Sequence, residues 1–370
     1  MSPKNFIFNV AVFTLITLGL YISMFYYQLN APVKAAWWVH DIYQYKDFKA
    51  SSIKSKKIII ISGSNGLFGT NSKLIESETG YPVINLASQG ALDIDFLYYK
   101  ISQSIKEGDI VIMPLEFAHY SRVKPTSWFT NNMMAWGEDY LTQLSLIQTI
   151  QFIIDTAPNR VLEGVLSQIQ NNSTNTKKTP REVVLKWFET SPENPNWKGV
   201  KHGYRNMNKH GDYNVDSFVT FNKDNPYIGR DLNLSQHFIE TYFKINNLVK
   251  QHNGKLFLTY PVTIRNSLFD LSEQESQNRV ENLELLLHQH RIDIYCNAAL
   301  FNLDRKYFFN TKYHPNKYGA LIRSSNLGDC IDGLINNRYQ KMSYDDAIKK
   351  TNYLQFRYQD EVKIASVSHH

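Results

Sequence analysis

An unbroken apolar stretch opens the chain, and the remainder alternates between short apolar runs and amphipathic segments. No charged residue occurs from about Asn5 to Gln28. About 20 apolar residues are enough to cross a bilayer as a helix. A cleaved signal peptide usually has a shorter apolar core followed by a small-x-small site, and the stretch Leu29–Pro32 matches such a site poorly. We therefore predict an uncleaved, single-pass membrane anchor over residues 1–30, with a cleaved signal as the alternative, and a linker or amphipathic segment over residues 31–54.

The charges beside this stretch leave its orientation open. Lys4 precedes it, and six lysines follow it between residues 34 and 57. Cytoplasmic flanks usually carry the excess of Lys and Arg. Charge alone therefore does not favour export of the domain that follows.

Five short runs rich in β-branched and other apolar residues predict the strands of a parallel sheet. They are Lys57–Ile61, Pro82–Leu86, Asp109–Met113, Lys255–Tyr260 and Ile292–Tyr295. Helices are predicted between and after them, over residues 66–78, 93–106, 235–252, 272–290 and 316–337. Buried parallel strands are near-continuous apolar runs, and strand–helix alternation implies crossover helices. The pattern predicts one α/β domain over residues 55–337.

Two segments break this alternation. The first, about 121–235, contains Asn/Thr/Lys-rich stretches such as Asn171–Lys178 and four tryptophans, Trp128, Trp136, Trp187 and Trp197. We predict that it is an insertion that forms a cap over the functional edge of the sheet. The second, residues 338–370, is charged and Tyr-rich, and we predict a C-terminal tail.

Composition narrows the classes of protein and ligand. A hydrophobic content of 43% with 20% charged residues is typical of a globular chain. The net charge of +6 is spread along the chain without a basic tract of five or more residues, which argues against a nucleic-acid partner. Cys296 and Cys330 lack CxxC or Cys/His ligand spacing, so no metal or other cofactor is predicted. The two cysteines form either a disulfide outside the cytoplasm or two buried thiols.

Residues that suit acyl chemistry follow three of the predicted strands. Ser64 follows the first, Gly90 the second and Glu116 the third, and His314 lies near the end of the domain. Ligands of open α/β sheets bind at these carboxyl ends. A serine hydroxyl needs an adjacent base, which His314 is placed to supply. An oxyanion hole needs preorganised N–H donors, which Ser64 and Gly90 can supply. Alone, each residue also fits a turn or capping role, but their order along the chain favours a catalytic site.

Five short blocks carry a resemblance to a known superfamily. They are Ile61–Gly69, with a glycine five residues after Ser64, then Asn85–Gly90, Pro114–Phe117, Asn206–Asp212 and His314-x-Asn316-x-x-Gly319. Over residues 55–335 the chain resembles the SGNH/GDSL hydrolases. Within them it is similar to a membrane-anchored envelope branch that includes alginate O-acetylation proteins and the teichoic-acid D-alanylation esterase-like protein.

This resemblance implies an SGNH-hydrolase-like, three-layer α/β/α fold with a central parallel sheet. It implies a periplasmic domain held at the cytoplasmic (inner) membrane of the cell envelope. The implied activity is that of an O-acyl esterase or acyltransferase on the acyl esters of envelope polysaccharide or of an acylated carrier. Ser64 would be the nucleophile and His314 the general base, and a membrane-bound O-acyltransferase would be a partner.

The residue that orients His314 departs from the superfamily pattern. Members usually carry an aspartate three or four residues before the histidine, where this chain has Thr311 and Asn310. Asparagine can hold an imidazole by a hydrogen bond, but it cannot stabilise an imidazolium by charge. In the serine-protease triad the equivalent change lowers kcat by about 10⁴. Asp304, ten residues upstream of His314, would need a favourable loop to help.

The asparagine usual in the third block is also missing, and Glu116 or His119 is expected to fill its space, with Asn65 in support. Two functional hypotheses therefore stand side by side. The first is an esterase or acyltransferase that works through Ser64 and His314. The second is a catalytically weak or inactive module that binds polysaccharide through aromatic residues of the cap and assists a membrane O-acyltransferase.

Overall fold

The computed structural model describes residues 2–170, 178–193, 195, 202–217 and 221–362 of the chain. Most of the stretch 171–178 and Trp197, both assigned to the predicted cap, lie outside the described residues. The chain forms two compact units. The anchor unit comprises Met1–His40 and Lys124–Lys178, and the sheet unit comprises Asp41–Val123 and Thr179–His370.

Helices make up much of the described chain. In chain order the α-helices are α1 (Pro3–Tyr27), α2 (Trp37–Ser52), α3 (Ser64–Gly69), α4 (Ser72–Thr79), α5 (Ile94–Ser102), α6 (Ala118–Ser121), α7 (Ser127–Trp136), α8 (Glu138–Leu141), α9 (Leu146–Asp155), α10 (Pro158–Ile169), α11 (Arg181–Thr190), α12 (Gln236–Gln251), α13 (Gln274–Gln289), α14 (Lys317–Ile335) and α15 (Tyr344–Arg357). Short 3₁₀ turns occur at Tyr204–Asn206, Ala298–Phe301 and Arg305–Tyr307. Helices α1 and α7 to α10 belong to the anchor unit, and α2 begins there and continues into the sheet unit.

The anchor unit begins with a helix that is long and apolar enough to cross a membrane. Ser2 caps α1 by accepting a hydrogen bond from Asn5 N, and Pro3 lies in its first turn, as both residue types commonly do. The 25 residues of α1 extend about 37 Å, more than the roughly 30 Å hydrocarbon core of a bilayer. Within the described chain Phe25 is the one buried residue of α1, so an apolar surface surrounds most of the helix.

A parallel sheet lies at the centre of the sheet unit. The strands of the described residues are β1 (Ile58–Ile60), β2 (Val83–Asn85), β3 (Ile110–Pro114), β4 (Lys255–Thr259), β5 (Thr263–Ile264), β6 (Ile294–Tyr295) and β7 (Asn302–Leu303). Five of them form the central sheet in the order β2-β1-β3-β4-β6, and β5 pairs with β7 separately. Ile59 lies opposite Ile84 on one side and Val111 on the other. This arrangement confirms the predicted α/β class with a central parallel sheet.

The helix predicted over residues 66–78 is two helices, α3 and α4. Thr70 is extended, with φ −109° and ψ 134°, and the Asn71 side chain accepts a hydrogen bond from Leu74 N to cap α4. Such a cap supplies a partner for one of the free N–H groups at the start of a helix. The break leaves α3 as a short helix that carries Ser64 as its first residue.

The segment predicted as one cap is divided between the two units. Residues 124–178 group with the N-terminal residues 1–40, whereas residues from 179 onward group with the sheet. Residue spacing along the chain contains no information about this grouping, because it depends on contacts between distant segments.

The segment predicted as a tail contains a packed helix, α15. Its Ala347, Thr351 and Leu354 are buried, and their i, i+4, i+7 spacing places them on one face. Ser343 caps the helix by accepting a hydrogen bond from Asp346 N. Both signals are visible in the sequence, but the surrounding charged residues and tyrosines concealed them.

Cys296 and Cys330 form a disulfide, which decides between the two alternatives that their spacing leaves open. Cys296 directly follows β6, and Cys330 lies in α14. The bond therefore ties the edge of the central sheet to the last helix that was predicted for the domain.

Candidate active site

The turn between β1 and α3 brings Ser64 to the carboxyl end of the sheet. Ile61 N donates a hydrogen bond to Ile112 O (2.9 Å), which keeps the chain paired to its neighbour up to this turn. A Cβ on Gly63 would lie 2.5 Å from the Gly90 Cα, so only glycine permits this approach between the segments that follow β1 and β2. Ser64 itself is half-buried.

Gly90 lies directly beside the Ser64 side chain. A Cβ on Gly90 would be 3.7 Å from Ser64 Oγ and 3.3 Å from Glu116 Oε1. Arg122 Nη2 donates to Gly90 O at 2.9 Å and so fixes the orientation of this peptide. Within the described residues, no acceptor takes the backbone N–H of Ser64 or of Gly90. These two N–H groups are therefore free to bind an oxyanion.

The Glu116 carboxylate supports the turn that carries Ser64. Its Oε2 accepts a hydrogen bond from Gly63 N (3.1 Å), and its Oε1 accepts one from Asn65 N (3.0 Å). The side chain is almost completely buried and thus bridges the amides on either side of Ser64. A buried carboxylate needs hydrogen bonds and opposite charge to offset its loss of hydration, and here Arg122 and Arg323 supply the opposite charge.

His119 lies next to Glu116, in the interior. Its Nδ1 is 3.6 Å from Glu116 Oε2, and its Nε2 is 3.2 Å from Leu92 O. Burial lowers the pKa of His119, against the opposing effect of Glu116. The ring is 2% exposed, so a role in contact with substrate does not fit it, and its place is behind the carboxylate.

Asn65 is also buried, and its amide is used in holding α3. Its Nδ2 donates to Pro114 O (2.8 Å), and its Oδ1 accepts from Arg323 Nη2 (3.4 Å). The side chain thus joins α3 to the end of β3 and to α14. This arrangement suits a positioning residue rather than one that contacts substrate.

Arg323 is a site residue that the sequence motifs did not reveal. From α14 it donates to Gly69 O (3.0 Å) and Thr70 Oγ1 (3.1 Å), as well as to Asn65. Burial lowers the pKa of Arg323 to about 10, so the guanidinium is charged at neutral pH. Its one signal in the sequence is its position in a predicted helix, where it lies between the apolar run Tyr318–Ile322 and Leu327.

Lys46 and Asp212 hold the segment after β2 in place, and neither was predicted. Lys46 Nζ donates to Ala87 O, and burial lowers the pKa of Lys46 to about 7, against the opposing charge of Asp212. Asp212 accepts hydrogen bonds from Ser72 N (2.9 Å) and Asn85 Nδ2 (2.9 Å). The run Asn206–Asp212, noted for its resemblance to a family segment, thus joins the end of β2 to the start of α4.

His314 lies along α3, on the side that carries Ser64. Its ring is parallel to that of Phe68, with centroids 4.0 Å apart and 16° between the planes. Phe68 and Ser64 are four residues apart and share a face of the helix. Asn310 Oδ1 accepts a hydrogen bond from His314 Nδ1 at 2.9 Å. Asn310 therefore stands where the orienting group of a triad would be.

Burial, and secondarily His202, lower the pKa of His314 to about 3. The ring is neutral at physiological pH. Because Nδ1 donates its proton to Asn310, Nε2 holds the lone pair. This is the tautomer that a general base for serine requires.

The Ser64 hydroxyl and His314 Nε2 make no hydrogen bond with each other or with any other described residue. Catalytic hydrogen bonds are often long before a substrate is bound and become shorter in the complex. The two groups are thus adjacent to one helix face but are not a closed dyad.

Asp304 does not assist His314. Its carboxylate lies 3.3 Å from Arg265 Nη1, and Gln355 of α15 accepts a hydrogen bond from its backbone N–H. The carboxylate of Asp304 is thus paired with Arg265, whereas Asn310 is the side chain hydrogen-bonded to His314. The contacts of α15, which the sequence did not predict, determine the position of Asp304.

Among the described residues, one group has a geometry that could hold a metal ion: Asp93, Asp95 and His237. His237 Nε2 lies 2.6 Å from Asp93 Oδ1. Although burial lowers it, the pKa of His237 is raised overall by the hydrogen bond and charge of Asp93. The hydrogen bond and charge interaction between His237 and Asp93 account for the close approach of these two groups.

No protein-family model matches this chain, and a search of curated proteins found no match to its sequence. The functional conclusion consequently depends on the geometry around Ser64 and on the motifs themselves.

Proposed function

We propose that this protein is an envelope-associated O-acyl esterase or acyltransferase of the SGNH type, with Ser64 as nucleophile and His314 as general base. One observation carries the proposal. Asn310 holds Nδ1–H of His314 and so leaves a basic Nε2 on a ring that packs one helical turn from Ser64. The strand order β2-β1-β3-β4-β6, with Ser64 after the first strand and Gly90 after the second, agrees with a three-layer SGNH fold.

The proposed reaction has two steps. Ser64 Oγ attacks the carbonyl carbon of an ester while its proton passes to His314 Nε2. The oxyanion accepts hydrogen bonds from the N–H groups of Ser64 and Gly90. His314 then protonates the leaving alcohol, and an acyl-Ser64 ester remains. In the second step water or a glycan hydroxyl gives its proton to His314 and attacks the acyl carbon. The bond to Ser64 Oγ then breaks, His314 returns the proton to Oγ, and the free acid or the new glycan ester leaves.

The group behind His314 limits the rate of this reaction. Asn310 is neutral, so the imidazolium formed in each step gains no charge stabilisation from it, and burial opposes the imidazolium as well. A second candidate function, a polysaccharide-binding module that assists a membrane O-acyltransferase, is favoured by this same observation. Both functions would use the residues at the carboxyl end of the sheet.

The cellular location that we propose is the outer side of the cytoplasmic membrane. The disulfide between Cys296 and Cys330 supports it, because disulfides persist in oxidising compartments and are rare in the cytosol. The helix α1 supplies the attachment to the membrane.

Hydrolysis of p-nitrophenyl acetate by the full-length protein in detergent tests the catalytic proposal. We expect Ser64→Ala and His314→Ala to reduce the rate to background, and Ser51→Ala, an exposed serine of α2, to leave it unchanged. Mass spectrometry should find acetyl on the peptide that contains Ser64. If wild type and Ser64→Ala hydrolyse the ester equally and no acetyl-Ser64 forms, even with a glycan acceptor present, the catalytic proposal fails. Retained polysaccharide binding in Ser64→Ala would then support the binding module.

A further inference from the structure

Two helices of the anchor unit, α9 and α10, carry a continuous set of exposed apolar side chains. On α9, Ile147 is 80% exposed and Ile154 is 69% exposed. The whole set comprises Leu146, Ile147, Ile150 and Ile154 of α9 and Leu162, Leu166 and Ile169 of α10. Their spacing of three, four and seven residues places them on one face of each helix. We call this set the α9–α10 face.

Charged side chains are nearly absent from these helices. Asp155 is the one charged residue of α9, and Arg160 and Glu163 are those of α10. Arg160 is buried, and its Nη1 donates to Gln28 Oε1 at 3.4 Å. Asp155 is half-buried, so Glu163 is the one fully exposed charged residue of the two helices. Contiguous exposed apolar surfaces on proteins mark contact with a membrane or a partner.

The two helices are packed against the C-terminal part of α1. Tyr21 Oη donates to Thr156 O, between α9 and α10, at 3.3 Å. The rings of Phe25 and Phe152 meet edge to face at 6.2 Å. A Cβ on Gly164 would lie 2.8 Å from Gln28 Cβ, so a glycine lets α10 approach the chain at the end of α1, as small residues do between membrane helices.

These contacts set the depth of α9 and α10 along α1. Tyr21 lies six residues before the end of α1, which is about 9 Å along the helix axis. The helix exceeds a 30 Å hydrocarbon core by only about 7 Å. Even if this whole excess lies at the C-terminal end, the turn between α9 and α10 reaches the edge of the hydrocarbon. The α9–α10 face is thus continuous with the surface that α1 presents to lipid.

We infer that α9 and α10 lie in the membrane interface, with the α9–α10 face in contact with lipid acyl chains. The protein is then attached by a membrane-embedded unit of three helices rather than by a single helix. Lipid is favoured over a protein partner because the face is at the depth of the bilayer and continues the lipid-facing surface of α1. Interfacial helices of this kind bury their apolar face several ångströms into the headgroup and acyl boundary.

Fluorescent labels on single thiols test this inference in the full-length protein. The two native cysteines are paired and the described chain has no free thiol, so Ile147→Cys or Leu166→Cys supplies a unique site for a nitrobenzoxadiazole label. Phe13→Cys in the middle of α1 is the positive control. Leu285→Cys, an exposed leucine of α13 in the sheet unit, is the matched control for an apolar side chain in water. The labelled proteins are reconstituted in phosphatidylcholine vesicles with and without doxyl-labelled phosphatidylcholine.

We expect labels at Ile147 and Leu166 to emit at shorter wavelength than the label at Leu285 and to be quenched several-fold more strongly by the doxyl lipid. Labels at these two sites that behave like the one at Leu285 overturn the inference. So does a shifted emission that the doxyl lipid does not quench, because a protein surface would then cover the face. These substitutions lie on exposed positions, and the thermal unfolding midpoint of each variant verifies that it is folded.

Discussion

The His314 imidazole lies parallel to the Phe68 ring, with 4.0 Å between the centroids. Phe68 is the fifth residue of α3 and Ser64 the first, so one short helix carries both the candidate nucleophile and the surface against which the base is packed. The position of the base relative to the nucleophile therefore depends on the packing of an aromatic pair. In addition, Asn310 fixes the rotation of the ring through Nδ1.

Replacing Phe68 by leucine should displace His314 without removing it. We expect kcat for p-nitrophenyl acetate to fall at least about tenfold, because a displacement near 1 Å can cost about 10²-fold. Loss of the aromatic pair should lower the free energy of unfolding by roughly 1 kcal/mol or more. Phe257→Leu removes another buried aromatic contact, with Tyr295, and serves as control. Equal effects of the two substitutions on kcat would contradict the role of Phe68.

Replacing Asn310 by aspartate should raise activity. A carboxylate at the position of Asn310 Oδ1 would stabilise the imidazolium by charge, and the gain should be at least about tenfold, within the limit of about 10⁴ known for the reverse change in a triad. The pKa of His314, followed by NMR, should rise in the same variant. Asn310→Ala should be less active than wild type. Asp304→Asn should not change kcat, because Asp304 pairs with Arg265. An unchanged rate and pKa in Asn310→Asp would show that another group orients the ring.

Replacing Glu116 by glutamine should destabilise the turn around Ser64. Glutamine offers one amide oxygen, so either Gly63 N–H or Asn65 N–H loses its buried acceptor. An unsatisfied buried donor costs about 1–3 kcal/mol, which chemical denaturation measures. We expect a parallel loss of kcat, because the donors of the oxyanion hole move with this turn. Glu281→Gln, at an exposed position of α13, should change neither quantity. A Glu116→Gln variant with full stability and activity is the result that this account does not allow.

The lowered pKa of His314 predicts the direction in which the stability of the protein changes with pH. Burial lowers this pKa from 6.5 to about 3, so between those values the unfolded chain binds more protons than the folded one. The contribution of His314 to stability should then rise as pH rises from about 3 to 6.5, and it should be constant above that window. The difference in unfolding midpoint between wild type and His314→Gln should change with pH only below 6.5. Parallel curves for the two proteins across the window would exclude a neutral His314 with a lowered pKa.

Local sequence patterns were sufficient for most elements of the sheet unit. The apolar run Lys57–Ile61 and the four similar runs were correctly predicted as parallel strands. A buried strand can be identified from β-branched residues and flanking turns alone. The helix over 66–78 was misjudged because Asn71, as a helix cap, interrupts a pattern that is otherwise periodic. The helix α15 was missed because its buried residues, which include Ala347, Thr351 and Leu354, are few and lie among charged and polar residues.

Some residues of the candidate site could likewise be predicted from the sequence, and others could not. Ser64, Gly90 and Glu116 were predicted together because the ends of parallel strands share an edge of the sheet. The contacts of Arg323 and Lys46 were not predicted, since each crosses from a distant helix to a loop. Only the conformation of the loop before α14 shows that Asn310, and not Asp304, is the neighbour of His314.

The sequence by itself determined the long apolar N-terminal helix, the order of the central strands along the chain, and the position of Ser64 after the first strand, because each follows from the local pattern of apolar residues. Tertiary structure alone decided which group holds His314, that the two cysteines are joined, and that residues 124–178 group with the N-terminal helix. These outcomes depend on contacts between segments far apart in the chain, and such contacts follow from packing and burial that no local pattern contains.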